Sequence, residues 1–448
     1  MTDYLDVSVV QIQSWLTRTP QLQGRRGAST MISAATAREV IDKLLVPHSD
    51  LVKRNDEVGD VDGVVALQLL TPEPDAAKQV KNAVVAHLRA KLPTASLVVR
   101  KTSGKNYADA QLNTSEPDDE HWPAAVADWP VGRPCEWCHV QPADPIQQDR
   151  EQKRLCRECV MRREAAGWAK SGTRVPSQEE KLLTRLALPP GKKVPDEFKD
   201  LAALEEERSL ALVYADGNAV GRFISGLQRG TKKGRKLLPT IAKEIDEATW
   251  TALVKAVEAI SDADDHLLPV VPHLVGGDDV LVSVPARRAW RFVMTLQSTF
   301  AERIAAQASG AGAQLPTLSA GIVFHHYARP LHVMCDLAKT LLRRAKESVQ
   351  GNEAAIAWQD VTRDGQTPAD RDPVRLADLL AKHADLTRLA ERGNSAQQRL
   401  AELIRVNGVE SEPLQTHLQR LGLGEVVSPF RDRPIELLDA LGMVRWWR

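Results

Sequence analysis

The sequence feature that most constrains the fold is Gly276-Gly277-Asp278-Asp279, set between two short apolar runs, LLPVVPHLV and VLVSV. Two strand-like runs separated by a glycine-rich pair of turn residues read as a β-hairpin. Before it, LALVYA from Leu210 reads as a strand, followed by a helix over Ala219–Leu227, a basic loop RGTKKGRK and a longer helix over Thr240–Ile260. After it come a helix (Ala289–Ala306), a strand (Thr317–Phe324), a helix (Pro330–Lys346) and a last strand, AAIAW. The order is β-α-β-β-α-β, the ferredoxin-like arrangement, with one further helix and strand.

A chain of 448 residues is long enough for two to four such units. The N-terminal part gives a truncated version of the same order: a strand in LDVSVVQI, a loop containing GRRGAS (Gly24–Ser29), a helix over Ala28–Leu45, a strand GVVALQLL, a helix over Ala76–Leu92 and a strand ASLVVR. An internal duplication follows as the expectation. Beyond Pro373, Leu, Ala, Arg and Glu recur at helical spacing. The fold class expected is α/β (α+β), with two ferredoxin-like units, a metal-binding element between them and a helical C-terminal unit. The boundaries expected are 1–105, 130–165, a linker at 166–204, 205–365 and 370–448.

Asp216 ends the predicted strand LALVYADGN, whose neighbour in a ferredoxin-like sheet is the hairpin. Asp216, Asp278 and Asp279 would therefore meet, and three carboxylates at one point need a cation if all are to stay ionised. Magnesium, or manganese, held there would neutralise nucleotide phosphates during phosphoryl transfer. Gly276 and Gly277 permit the tight turn and close phosphate approach; Gly217, Asn218 and Gly221 put backbone amides near a helix start, where an anion is favoured. Taken alone, GGDD also reads as an ordinary hairpin turn; the strand-end Asp216 and the order around it favour the metal site. On the helix VMCDLAKTLLRRAKE, Lys339, Arg343 and Lys346 share a face that either meets a triphosphate or is simply solvated.

Cys135-x2-Cys138 and Cys156-x2-Cys159, with seventeen residues between the pairs, have the spacing of a structural zinc ribbon. Four thiolates fill the tetrahedral shell, so the zinc would organise a connector. Cys335 reads as core. His325 and His326 end a strand and could be ligands, a general base or a plain polar strand end. GRRGAS could bind a phosphate or form a loop with an N-cap serine.

Fifty-nine basic residues balance fifty-nine acidic ones, which excludes a global positive field for long nucleic acid. No stretch approaches the roughly 18 apolar residues of a membrane span, and the N-terminus lacks a signal pattern, so a cytoplasmic protein is expected.

DGNAVG, GGDD, LSAGI and the Ala345-Lys346 pair resemble the catalytic palm of the large polymerase/cyclase subunit of type III CRISPR effectors, and more distantly the GGDEF nucleotide cyclases. That subunit also has a degenerate first palm, a four-cysteine zinc element between its palms and a helical C-terminal domain. The resemblance implies conversion of ATP into cyclic or linear oligoadenylate messengers in antiviral defence. Asp216, Asp278 and Asp279 would be the metal ligands, Lys346 would touch the triphosphate, and Ser319 would lie near the base or sugar. The partners implied are a nucleoside triphosphate, effector-complex subunits or a second copy of the chain, and an RNA activator. Two departures stand out: no His-Asp doublet marks an HD nuclease before the first palm, and Asn218 stands where relatives commonly have a second acid. A catalytically silent nucleotide-binding sensor or effector scaffold is the rival reading; the presence of all three aspartates favours catalysis.

Overall fold

The computed structural model describes the chain except for residues 59–61, 72–73, 113–116, 118, 124–131, 150, 167–175, 187–191, 368, 370, 409, 432–433 and 448. Its strands are β1 (Thr2–Val10), β2 (Val52–Arg54), β3 (Val64–Leu69), β4 (Ser96–Gly104), β5 (Asp119–His121), β6 (Ser209–Asn218), β7 (Val271–Gly276), β8 (Asp279–Pro285), β9 (Thr317–His326), β10 (Ala355–Asp360) and β11 (Val374–Arg375). They form two sheets, β2-β3-β1-β4-β5 and β11-β10-β9-β6-β8-β7.

The first four strands of the N-terminal sheet and β6 to β9 have the same spatial order, so each sheet contains a complete ferredoxin-like unit. The first unit is not truncated. The short strand β2, hidden between Leu45 and Val64, completes it, and β5 extends the sheet past residue 105.

Alternation along the strands decides which face each sheet buries. Ala211, Val213 and Ala215 of β6 pack under the helices Ile241–Ile260 and Ala289–Ala308, while Leu212 and Tyr214 face the other way into a core shared with the helix Leu331–Ser348 and with β1, β3 and β4. The two units therefore meet on the face of the second sheet that also carries the side chain at position 216.

GRRGAS is a helix, not a loop. Gly24 to Ser29 lie inside Leu22–Thr36, whose apolar residues bury it. A Cβ on Gly27 would come within 1.7 Å of the Arg162 carbonyl oxygen, so glycine there lets this helix touch the helix Arg157–Ala165 of the cysteine element. Arg162 is fully buried, pairs with Glu158 at 2.6 Å, donates to the Trp15 carbonyl at 3.0 Å and stacks over the Trp15 ring at 4.2 Å. These contacts fasten the cysteine element to the first unit.

Of the charged segment that follows, residues 170–175 and 187–191 lie outside the described residues; Gln178–Arg185 is a helix with a capping box from Ser177 and Glu180. The helices beyond Leu376 pack on the second sheet's other layer: Trp446 stacks on Phe324 at 5.4 Å and donates to Asp360 at 3.0 Å. Among the described residues no helix is long and apolar enough to cross a membrane.

Candidate functional site

Strand pairing brings the three aspartates to one end of the second sheet. Asp216, third from the end of β6, lies opposite Ser319 of β9, and Ala215 lies opposite Val280, one residue beyond Asp279 in β8. Gly276 pairs with Asp279 across the hairpin, and Gly277 has φ +61°, which glycine adopts without strain. A Cβ on Gly217 would come within 2.2 Å of an Asp278 carboxylate oxygen, so glycine after Asp216 is what admits the Asp278 side chain.

The electrostatics are those of crowded acids. Burial, then the neighbouring Asp216 charge, pushes the Asp278 carboxyl up to about 6. Burial and the charges of Asp216 and Asp278 raise Asp279 as well. Such a donor set fits a divalent cation, because only a compensating positive charge keeps all three ionised at neutral pH. Lys346 supplies part of it: its ammonium pairs with Asp216 and donates to the Gly217 carbonyl at 2.8 Å. Tyr214, two residues before Asp216 on the same face, is raised by burial and by Asp279, and so keeps its hydroxyl proton.

The other residues singled out from sequence divide. Gly221 lies in the exposed first turn of the helix Val220–Arg229, whose N-cap, Ala219, has φ +58° and makes no side-chain cap, leaving the first amides available to an anion. Asn218 and Ser319 are buried. Asn218 donates to Thr317 (2.9 Å), Ser319 (2.9 Å) and the Glu353 carbonyl (2.7 Å), while the Ser319 hydroxyl also accepts from the Ala355 amide at 3.2 Å. They knit β6, β9 and the start of β10 together. Arg343 is exposed beside Glu347, away from the carboxylates. His325 belongs to the opposite end of the sheet: Ser209 pairs with His326, seven residues from Asp216, or about 23 Å at roughly 3.3 Å per residue. It is buried, bonded to the His326 carbonyl at 3.0 Å, and lowered to about 4 by burial.

Sequence reasoning missed Asp246. Its carboxylate, on the helix Ile241–Ile260, accepts the Gly277 amide at 2.9 Å and so holds the hairpin tip; burial pushes it up to about 6. Nothing local in IAKEIDEA marks it, since the contact spans thirty-one residues.

The four cysteines are the one group of three or more His, Cys, Asp or Glu among the described residues whose ligand atoms are gathered tightly enough for a metal, all within 4.8 Å of one another. Cys138 and Cys156 sulfurs are 3.8 Å apart, the edge of a tetrahedron with zinc–sulfur bonds of about 2.3 Å. This set can hold a structural metal such as zinc.

Residues 209–355 match the family model for the second palm domain of Cas10/Cmr2. Over these residues the chain is similar to Cas10. A stretch covering 32% of the chain is 30% identical, over 161 residues, to the CRISPR system Cmr subunit Cmr2 of Pyrococcus furiosus; it spans only 17% of that relative. The crystal structure of Csm1 from T. onnurineus superposes on all of this chain and on 70% of its own length, with TM-score 0.57 and 15% identity. A Csm1–Csm4 cassette in complex with cA3 gives TM-score 0.55 at 14% identity, again covering the whole chain and 70% of the neighbour. At these identities the likeness is one of fold, and it runs through both palms, the cysteine element and the C-terminal helices. The match to the type III CRISPR large subunits expected from DGNAVG and GGDD is thus met both in sequence, over the second palm, and in fold.

Proposed function

We propose that the second palm binds a nucleoside triphosphate, ATP foremost, and joins nucleotides by 3′–5′ bond formation into short adenylate oligomers, linear or cyclic, as a signal in antiviral defence. The observation that carries this reading is the convergence of Asp216, Asp278 and Asp279 under a lysine at the open end of a Cas10-type palm. The fold neighbour crystallised with cA3 supports the choice of product class.

Asp216, Asp278 and Asp279 would hold magnesium or manganese, which when bound lowers the pKa of an attacking hydroxyl and neutralises phosphate charge. The chain's own groups do the rest. Uncapped amides at the start of Val220–Arg229 receive a phosphate. Lys346, released from Asp216, balances charge on the triphosphate as a point cation. Asp246 keeps the hairpin tip in register while a 3′ hydroxyl displaces pyrophosphate from the α-phosphorus. The cysteine element and the first palm serve as scaffold, and effector subunits, a second copy or an RNA strand would act as partners.

The test is incubation of purified protein with each labelled nucleoside triphosphate and magnesium or manganese, followed by chromatography and mass spectrometry, beside the Asp278→Ala/Asp279→Ala variant. Wild-type-only formation of short oligonucleotides is the expected result. Metal-dependent nucleotide binding without any product would transfer the chain to the sensor or scaffold class.

A further inference from the structure

A side chain of the first palm reaches the phenol that stands beside the carboxylates of the second. Gln13 belongs to the short helix Ile12–Leu16 that follows β1, and its side-chain amide donates to the Tyr214 hydroxyl at 2.7 Å across the junction of the two units. Tyr214 pairs with Leu281 across β6 and β8, so its side chain and that of Asp279, two residues earlier in β8, lie on one face of the sheet as diagonal neighbours. Tyr214 is buried, with 7% of its surface exposed, and shares a crevice with Gln13, Leu281 and Lys339.

The helix bearing Gln13 is itself held. Thr17 donates to the Gln13 carbonyl through both its amide (3.0 Å) and its hydroxyl (2.8 Å). Trp15 donates to Thr94 at 3.0 Å, and its carbonyl receives buried Arg162 of the cysteine element. Gln13 therefore presents its amide from a fixed platform, as a positioning group must.

We propose that Gln13 and Tyr214 are positioning residues for the metal-binding carboxylates, so that the first palm, though it carries no acid equivalent of its own, completes the site of the second. The inference rests on the reading of Asp216, Asp278 and Asp279 as metal ligands. A carboxylate has two oxygens; a phenol that donates to one of them leaves the other free for a cation. Donation from Gln13 orients the phenol and polarises it towards Asp279. Seating of the first palm then tunes metal affinity without touching the ligand set.

The experiment is Mn2+ titration, read as free Mn2+ by electron paramagnetic resonance, on the full chain and on Tyr214→Phe, Gln13→Leu and the double variant. Tyr214→Phe is expected to weaken binding about fivefold to tenfold and Gln13→Leu about twofold to threefold. The double variant should match Tyr214→Phe alone, because Gln13 acts only through the phenol. A purely structural role would lower melting temperature and leave the Mn2+ dissociation constant where it was. Unchanged affinity in Tyr214→Phe, or additive losses in the double variant, overturns the relay; Gln13→Leu alters only the first palm, so misfolding of the second cannot mimic its effect. Wild-type Mn2+ binding that survives Asp278→Ala/Asp279→Ala removes the ligand assignment itself, and the relay with it.

Discussion

The two palms can be compared residue by residue, because their strand registers coincide. Val10 pairs with Ser96 at the start of β4 as Asn218 pairs with Thr317 at the start of β9, and the next residues, Gln11 and Ala219, are both left-handed N-caps, with φ of +55° and +58°. On that frame Ser8 stands where Asp216 is. Pairing of β1 with β3 and of β6 with β8 puts Gly63 and Val64 where Asp278 and Asp279 are. All three acids are replaced, yet the backbone, including the left-handed corner, is kept. The backbone is held by sheet pairing and by the core beneath it, neither of which needs carboxylates.

The strongest challenge to this comparison is Asp278→Ala/Asp279→Ala set against Ser8→Ala. The first should lower product formation by at least about 10³-fold with the fold intact, read by secondary structure and melting, since the removed charges repel one another. Ser8→Ala should leave turnover within about twofold. Equal losses from both would mean that the first palm is catalytic too.

Zinc removal sharpens the comparison next. Cys135→Ser with Cys156→Ser should abolish bound zinc by elemental analysis and lower the melting temperature by roughly 5–10 °C, through loss of the platform that Arg162 provides under Trp15. Retained zinc in that variant would refute the four-cysteine site.

A smaller effect is expected at Asp246. Asp246→Ala leaves the Gly277 amide without its acceptor and should lower kcat about tenfold, whereas Asp246→Asn, which can still accept, should stay within about threefold of wild type. Equal losses would assign the effect to the charge and not to the hairpin tip.

The smallest predicted effect separates the palms by pH. Asp278 is raised to about 6, and so is Asp6 of the first palm, by burial beneath Tyr107 and Gln111. A folded-state pKa above the unfolded value near 4 means that the native protein holds a proton the unfolded chain has released, so stability without metal falls as pH rises from about 4 to 6. Each group should contribute on the order of 1–3 kcal/mol to that fall. Thermal melts should show the fall reduced in Asp278→Asn and in Asp6→Asn. Added Mg2+ should restore only the Asp278 part, raising the melting temperature at pH 8 by a few degrees and at pH 5 hardly at all. Restoration of the Asp6 part would place a cation in the first palm.

How much could be read from residues alone follows the range of the interactions. The second palm was legible because its signals are local: alternation in LALVYA, glycine before paired acids, helical stripes of usual length. The cysteine pairs were legible because the spacing itself encodes the knuckles. GRRGAS misled, since two glycines and two arginines read as a loop until a second helix lies against Gly27 and offsets the glycine cost by close approach. β2 went unseen because three residues carry no usable period. The side-chain bonds of Asn218 and Ser319 to each other and to Glu353 and Ala355 were also invisible, because they join residues far apart in the chain.

The sequence by itself determined the strand order of the second palm, the meeting of three acids at one sheet end and the four-thiolate set, because each is written in neighbouring residues or in spacing along one element. Only the tertiary structure decided that the first palm is complete, with Ser8, Gly63 and Val64 at the places of the three acids, that Lys346 rests on Asp216, that Asp246 holds the hairpin tip and that Gln13 reaches Tyr214 across the junction. Those contacts join residues far apart in the chain, and their geometry is set by how two sheets and the helices between them pack, which local pattern does not carry.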